Sequence, residues 1–331
     1  MADPFAAFGD DDSDSDSPND ATTKDIDPRP QQRRDKSCGV LTFHAGTEQA
    51  LLHYVRNELD KHKKGAKDTP ASCQQVLDAV DNFCRRRHWM MHVGDEKGQI
   101  LERFLLEALQ TETPSRREIF SVVELGTYCG YSAIRMAKTA LEYAQQTGKL
   151  PIPVQIISVD VDKDQLKVAQ EMIELAGISS YVTLLCFDER QSTILSNLLS
   201  STLKTKANDK TNVPVIDFLF LDHVKDRYLP DVKELESARL IQQHSFVCAD
   251  NVVFHGLHEY RDYMEELAKQ GVVETRLETS LLEYSSSDID GQVHRDGLGR
   301  CSSSLLISVV WFAFVVMSVL LADSHFFLSL Y

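Results

Sequence analysis

The sequence is poor in cysteine and in basic residues. Seven cysteines occur among 331 residues, an odd number without a C-x-x-C pair, and the acidic N-terminus lacks the basic and apolar regions of a secretory signal. We therefore expect free cysteines in a reducing compartment, the cytoplasm. Lysine and arginine number 35 against 50 acidic residues, which gives a net charge of −15. This balance argues against a nucleic-acid-binding surface, which would be basic.

Residues 1–39 contain little that could be buried. Residues 10–17 are all aspartate or serine. A segment of this composition cannot bury enough apolar surface to offset the entropy that folding removes. We expect a disordered, solvated tail, with a phosphorylation platform as a further possibility.

The hydrophobic pattern of residues 40–300 predicts one α/β domain. Helical spacing of apolar residues predicts a helix at 48–59 and another that opens at Thr69-Pro70. Strands are then predicted at 120–125, 154–159, 182–186, 216–221, 246–249 and 272–279, and helices at 132–145, 164–176, 192–203 and 257–269. This alternation predicts a doubly wound, mostly parallel sheet with helices on both faces, which binds ligands outside the carboxyl ends of its strands.

Oxygen-bearing side chains follow two of the predicted strands directly. Asp222 comes after the run 218–221, and Asp250 and Asn251 come after 246–249. Two neighbouring strand ends would then present three oxygen ligands, which suit a hard cation such as magnesium. Alternatively, either acid could cap a helix or pair with Arg227.

A glycine-bearing turn connects the first predicted strand to its helix. Gly126 and Gly130 have the spacing G-x-x-x-G and not the dinucleotide pattern G-x-G-x-x-G. Glycine lets the backbone approach a ligand, and the helix N-terminus supplies free N–H groups. Asp160, at the end of the second strand, could accept hydrogen bonds from both hydroxyls of a ribose. Together, the glycine turn and Asp160 favour a site for a nucleoside that carries a carboxylate-bearing tail. The turn alone could be a tight connection between strand and helix.

These residues and their neighbours resemble the catechol O-methyltransferases, which depend on magnesium and S-adenosylmethionine. The similarity runs from about residue 46 to 298 and is carried by VGDEKGQI (93–100), ELG (124–126), YSA (131–133), LDH (221–223), KDRYLPD (225–231), ADNV (249–252) and LEY (282–284). It implies a Rossmann-like class I methyltransferase fold and methyl transfer to one hydroxyl of a catechol.

The resemblance also implies roles for individual residues. The Mg²⁺ ligands would be Asp222, Asp250 and Asn251. Lys225 would be the catalytic base, and the substrate would contact Lys225, Asn251 and Glu283, the last of which would hold the second hydroxyl. The cofactor would be surrounded by Met91, Val93, Glu124, Gly126, Tyr128, Ser132, Asp160 and Asp222.

Some positions depart from the family pattern and keep other functions open. Val224 replaces a tryptophan and His255 replaces a proline, which affects the expected walls of the substrate site but not the metal ligands. Lys225 and Glu283 could be ordinary surface residues, and the apolar loop 89–94 could cap the core or line a pocket.

We expect a monomer acting on a small-molecule catechol. The alternatives are a methyltransferase for other vicinal dihydroxy aromatics and a membrane-tethered interaction protein with weak or no catalysis.

The C-terminal segment 301–331 differs from the family. Residues 305–322 form an apolar run interrupted by two serines, near the minimum length for a membrane-spanning helix. Arg295 and Arg300 before this run would keep the catalytic domain on the cytoplasmic side. The alternative is that 307–315, rich in valine and aromatic residues, forms the last strand of the sheet.

Overall fold

The computed structural model describes residues 46–62, 72–111, 119–148, 154–188, 194–203, 214–252, 257–281 and 302–310. The acidic segment 1–39 lies outside these ranges. The helices are α1 (Thr47–His62), α2 (Cys73–Arg86), α3 (Gly94–Gln110), α4 (Tyr131–Thr147), α5 (Lys163–Leu175), α6 (Leu195–Thr202), α7 (Tyr228–Ser237) and α8 (His258–Lys269). The strands are β1 (Phe120–Leu125), β2 (Val154–Asp160), β3 (Val182–Cys186), β4 (Phe218–Leu221), β5 (Ser245–Asp250), β6 (Val273–Leu281) and β7 (Ser302–Val310).

The strands form one seven-stranded sheet in the order β3-β2-β1-β4-β5-β7-β6. Strands β1 to β5 are parallel, and β7 runs antiparallel to both of its neighbours. This is the mostly parallel, Rossmann-like sheet that the sequence predicts. Because β1, β4 and β5 pair in parallel, their carboxyl ends meet at one edge of the sheet.

Alternate residues of the central strands bury opposite faces of the sheet. In β4, Phe218 and Phe220 pack into the core beneath α1 to α5, while Leu219 and Leu221 pack into the core shared with α6 to α8. Because its side chains alternate between two buried faces, β4 is apolar at every position. The strand ends where the first charged residue, Asp222, follows.

Three helices differ from the pattern-based prediction. Helix α2 begins at Cys73 and not at Thr69-Pro70, because Ser72 forms a capping box with Gln75. Helices α3 and α7 were not predicted from the sequence pattern. The first turns of α3 bury Lys97 and Gly98, so apolar residues at helical spacing appear only from Ile100 onward.

The C-terminal segment supplies a strand of the sheet. Strand β7 lies between β5 and β6. Its Leu306 pairs with Ala249 of β5 on one side and with Leu277 of β6 on the other. The strand alternative therefore describes the first part of the apolar run, although the strand begins at Ser302 and earlier than predicted. Residues 311–331 lie outside the described ranges. Within the described residues, no helix combines the length and apolar character needed to span a membrane.

Candidate active site

The three predicted metal ligands lie together at the carboxyl edge of the sheet. Leu221 of β4 is in register with Ala249 of β5, so Asp222 and Asp250 follow at adjacent positions. The hydroxyl of buried Tyr228 joins the two strand ends by contacting the carbonyl oxygens of Leu221 at 2.8 Å and Asp250 at 3.2 Å. Asn251 has a left-handed backbone, with φ of 59°. Asparagine tolerates this conformation well, and it turns the chain out of the strand at the site.

A lysine side chain shows that two of these ligands converge on one positive charge. The Lys97 ammonium lies 2.7 and 2.6 Å from the two carboxylate oxygens of Asp250 and 3.2 Å from Oδ1 of Asn251. These are hard oxygen donors of the type that Mg²⁺ prefers, so the residues fit that ion. Across the residues that the structure describes, no group of three or more His, Cys, Asp or Glu side chains could hold a metal. The predicted set is of another kind, with two carboxylates and one amide.

The predicted base lies next to the other carboxylate. The Lys225 ammonium donates to Oδ1 of Asp222 at 3.1 Å and to the Tyr228 hydroxyl at 2.7 Å. Burial raises the pKa of Asp222 to about 6, and the nearby Lys225 opposes this shift. Both side chains remain about one-fifth exposed. Lys225 can therefore be reached from outside while its position is fixed by two hydrogen bonds.

His223 and Arg227 contact a different acid. Nε2 of His223 lies 2.9 Å from Asp231, and Arg227 donates to the same carboxylate at 2.6 Å. The His223 ring also stacks on Tyr228, with centroids 4.9 Å apart. Burial lowers the pKa of His223, so the ring is neutral at pH 7. These contacts hold the segment after β4 in place and agree with a structural role for His223.

The glycine turn and the acid of the second strand form one unit. Gly126 has φ of 105°, and its N–H donates to the Val159 carbonyl at 2.9 Å. Asp160 accepts from the backbone N–H of Tyr128 at 2.8 Å and of Asp162 at 3.0 Å. Tyr128 itself has a positive φ of 47°, a conformation that a bulky residue adopts only when its surroundings impose it. Each carboxylate oxygen of Asp160 keeps further acceptor capacity for a ligand.

Glu124 lies fully buried beneath this turn. It accepts hydrogen bonds from the hydroxyls of Ser132 and Ser158, and the Ser158 hydroxyl is also 2.6 Å from that of Thr127. Burial raises the pKa of Glu124 to about 8, although the two serine hydroxyls oppose the shift. The acid is therefore largely protonated at pH 7 and can donate as well as accept.

Glu124 should make the stability of the ligand-free protein pH-dependent. The carboxyl binds its proton up to about pH 8 in the folded state but loses it near its ordinary pKa of 4.5 when unfolded. The folded state then holds more protons between these values, so the free energy of unfolding falls as pH rises through this window. Between pH 5.5 and 8, the free energy of unfolding should therefore decrease by up to about 3 kcal/mol less in Glu124→Gln than in the original protein. Urea unfolding in EDTA measures it, and equal decreases in both proteins would contradict the assignment.

The loop before α3 caps the core and contacts the glycine turn. Met90 and Val93 are buried in the core, whereas Met91 is partly exposed. The buried His92 ring lies 5.3 Å from that of Tyr128, which brings the loop against the glycine turn. The structure therefore confirms the core-capping role, while the pocket-lining role stays a prediction.

Two predicted substrate-site positions, Glu283 and His255, lie outside the described residues. Val224 lies within them and is 44% exposed.

Two residues of the site had no role assigned from the sequence, Lys97 and Tyr228. Both occur in the sequence blocks that carry the family resemblance, but only the fold shows that they contact the strand ends.

The chain is similar to known O-methyltransferases. The family described as O-methyltransferase matches residues 67–283. Mouse (Mus musculus) catechol O-methyltransferase is 33% identical over 217 residues, which are 66% of this chain and 67% of that protein. The bovine (Bos taurus) catechol O-methyltransferase is 34% identical over 218 residues, covering 66% and 68% of the two chains.

A solved structure of the O-methyltransferase from Bacillus cereus, in complex with SAH, aligns with a TM-score of 0.47 and 16% identity. It covers 77% of this chain and 99% of the bacterial one. Because the family match spans more than half of the chain and the mouse and bovine relatives share one third of the aligned residues, the assignment does not depend on this weaker likeness. The chain therefore belongs to the O-methyltransferase family and is an S-adenosylmethionine-dependent enzyme.

Proposed function

We propose that this enzyme transfers the methyl group of S-adenosylmethionine to one hydroxyl of a catechol and requires Mg²⁺. The observation that carries the proposal is the set of oxygen ligands at the adjacent ends of β4 and β5, with Lys225 beside them. Asp222, Asp250 and Asn251 would hold the ion. Mg²⁺ takes about six oxygens, so three from the protein leave room for the two oxygens of a vicinal diol and one water.

The protein residues would perform positioning and proton transfer. When bound, Mg²⁺ would supply positive charge that favours the ionised form of the acceptor hydroxyl. Lys225, in its neutral form, would accept the hydroxyl proton. The oxygen would then attack the methyl carbon, so that an O–C bond forms while the bond from carbon to the sulfonium sulfur breaks. Since this step neutralises opposite charges, an aligned and largely dry site favours it.

The cofactor would lie along the ends of β1 and β2. Gly126, Tyr128 and Ser132 would contact it at the glycine turn. Asp160, which accepts from the backbone N–H of Tyr128, would bind the ribose hydroxyls with its remaining acceptor capacity. Val93 and Met91 would flank the opposite side. The N–H of Asp222 donates to the Leu125 carbonyl at 2.8 Å, so Asp222 lies close to Gly126. A methyl donor bound along the glycine turn would therefore lie next to the proposed metal site.

An assay of the purified full chain tests this proposal. We expect methylated catechol and S-adenosylhomocysteine in equal amounts with Mg²⁺, and a loss of at least about 100-fold in rate with EDTA. A monohydroxy phenol, which offers one oxygen, serves as the matched substrate control and should react poorly. Equal rates with EDTA, or equal rates on the phenol, would contradict the proposed metal chelation. The full chain is required because β7 lies after residue 300.

A further inference from the structure

Lys97 is a buried cation that the proposed reaction does not use. Its side chain and that of Asp250 are each 1% exposed, and its ammonium contacts both carboxylate oxygens of Asp250 and the amide oxygen of Asn251. These are the oxygens that the proposed function assigns to Mg²⁺. A lysine is almost never buried to this extent unless its charge is compensated.

The fold holds Lys97 at this position. It lies in the first turns of α3, where the neighbouring residue, Gly98, packs under the guanidinium of Arg135 from α4. A Cβ atom at position 98 would overlap the Arg135 side chain. Arg135 also donates to the Asp95 carbonyl at 3.3 Å, which ties the same turn to α4. The Lys97 ammonium therefore reaches the strand ends from a helix in a fixed position.

The charges of the site balance without a metal ion. Asp222 pairs with Lys225 and Asp250 pairs with Lys97, so the two carboxylates face two ammonium groups. A divalent cation added to this set brings two further positive charges close to Lys97. Its binding must therefore be opposed by repulsion and by loss of the contacts that Lys97 makes with shared oxygens.

We propose that Lys97 is an internal counter-cation that holds Asp250 and Asn251 together without metal and competes with the divalent cation for them. This proposal rests on the magnesium site of the proposed function. It makes Lys97 a positioning residue that weakens metal affinity while it stabilises the metal-free protein. If Lys97 had only a structural role, the metal affinity would not rise on its removal.

Replacement of Lys97 by methionine tests the proposal. Methionine has a similar length but no charge, so we expect Mg²⁺ to bind at least tenfold more tightly by calorimetry. The thermal midpoint in EDTA should fall, because Asp250 loses its partner, while saturating Mg²⁺ should restore most of it. Mg²⁺ should therefore raise the thermal midpoint more in the variant than in the original chain. A structural role alone would not produce this difference.

Two further variants make the result interpretable. Lys97→Gln keeps a hydrogen-bond donor for Asp250 and should show the same direction of change if the methionine variant does not fold. Lys138→Met removes a partly buried lysine that contacts Glu102 at 3.3 Å, and it should leave the Mg²⁺ affinity unchanged. A variant that folds only in the presence of Mg²⁺ supports the proposal. Failure of both Lys97 variants to fold in any condition overturns it.

The outcomes separate this inference from the proposed function. If the original chain binds Mg²⁺ and the Lys97 variants bind it equally or more weakly, the inference is overturned and the magnesium site stands. If only the variants bind Mg²⁺, the inference is supported and magnesium-dependent catalysis is overturned. If neither binds Mg²⁺, both are overturned.

Discussion

Replacing Lys225 by alanine should lower the rate of methyl transfer by about 100-fold to 10,000-fold, which is the usual contribution of a general base. The Lys225 ammonium is fixed by Asp222 and Tyr228 and lies beside the proposed metal site. Because it is separate from the glycine turn, S-adenosylmethionine binding should remain nearly intact. Single-turnover rates and calorimetric cofactor binding measure the two effects separately.

Two control variants identify the role of the lost amine. Lys225→Arg keeps a positive charge beside Asp222 but cannot act as a base near pH 7, so it should be as inactive as the alanine variant. Lys167→Ala removes another lysine that pairs with an aspartate three residues earlier, Asp164, on the exposed surface. Its rate should not change. Activity in Lys225→Arg would show that charge alone is sufficient and would remove Lys225 as the base.

Replacing Gly126 by alanine should lower the free energy of unfolding by about 3 kcal/mol or more. A Cβ atom at this position would overlap the backbone carbonyl of Asp222 and lie 2.9 Å from the His223 nitrogen. Backbone atoms cannot rotate away as a flexible side chain can, so the end of β4 would have to move. Any folded fraction should bind cofactor weakly and transfer methyl slowly, because Asp222 moves with the strand. Urea unfolding and activity of the same preparation measure both effects.

Gly148 provides the matched control for this substitution. It also has a positive φ, 67°, but a Cβ atom there would have no neighbour within 4 Å. Gly148→Ala should therefore incur only the conformational cost of about 1 kcal/mol and leave activity unchanged. Equal loss of stability in the two variants would show that the contact between Gly126 and Asp222 is unimportant.

The inner strands of the sheet, β1, β4 and β5, were predictable from the sequence because they are buried on both faces. Strands β1 and β3 have the predicted bounds, and β4 and β5 differ by two residues or fewer at each end. A mostly apolar run of about four to eight residues is too short for a typical helix, so its length favours a buried strand. Helix α3 was not predicted because its buried face begins with Lys97 and Gly98, whose burial depends on Asp250 and Arg135 from distant parts of the chain.

The C-terminal run illustrates a different difficulty. An apolar segment is compatible with a membrane-spanning helix and with a buried strand, and its composition alone does not choose between them. The choice for 305–310 comes from the unpaired edges of β5 and β6, which accept β7 as an antiparallel partner. Hydrogen-bonding groups on another part of the chain thus determine the structure of this segment.

The amino-acid sequence determined the alternating architecture, the acids that end β4 and β5 and the glycine turn after β1, since each of these follows from the local order of apolar, acidic and glycine residues. The tertiary structure alone decided what surrounds those acids. It brought the ammonium of Lys97 across 153 positions of sequence to Asp250 and placed the Tyr228 hydroxyl between two strand ends. Such contacts depend on the packing of α3 and α7 against the sheet, and no local pattern specifies that packing.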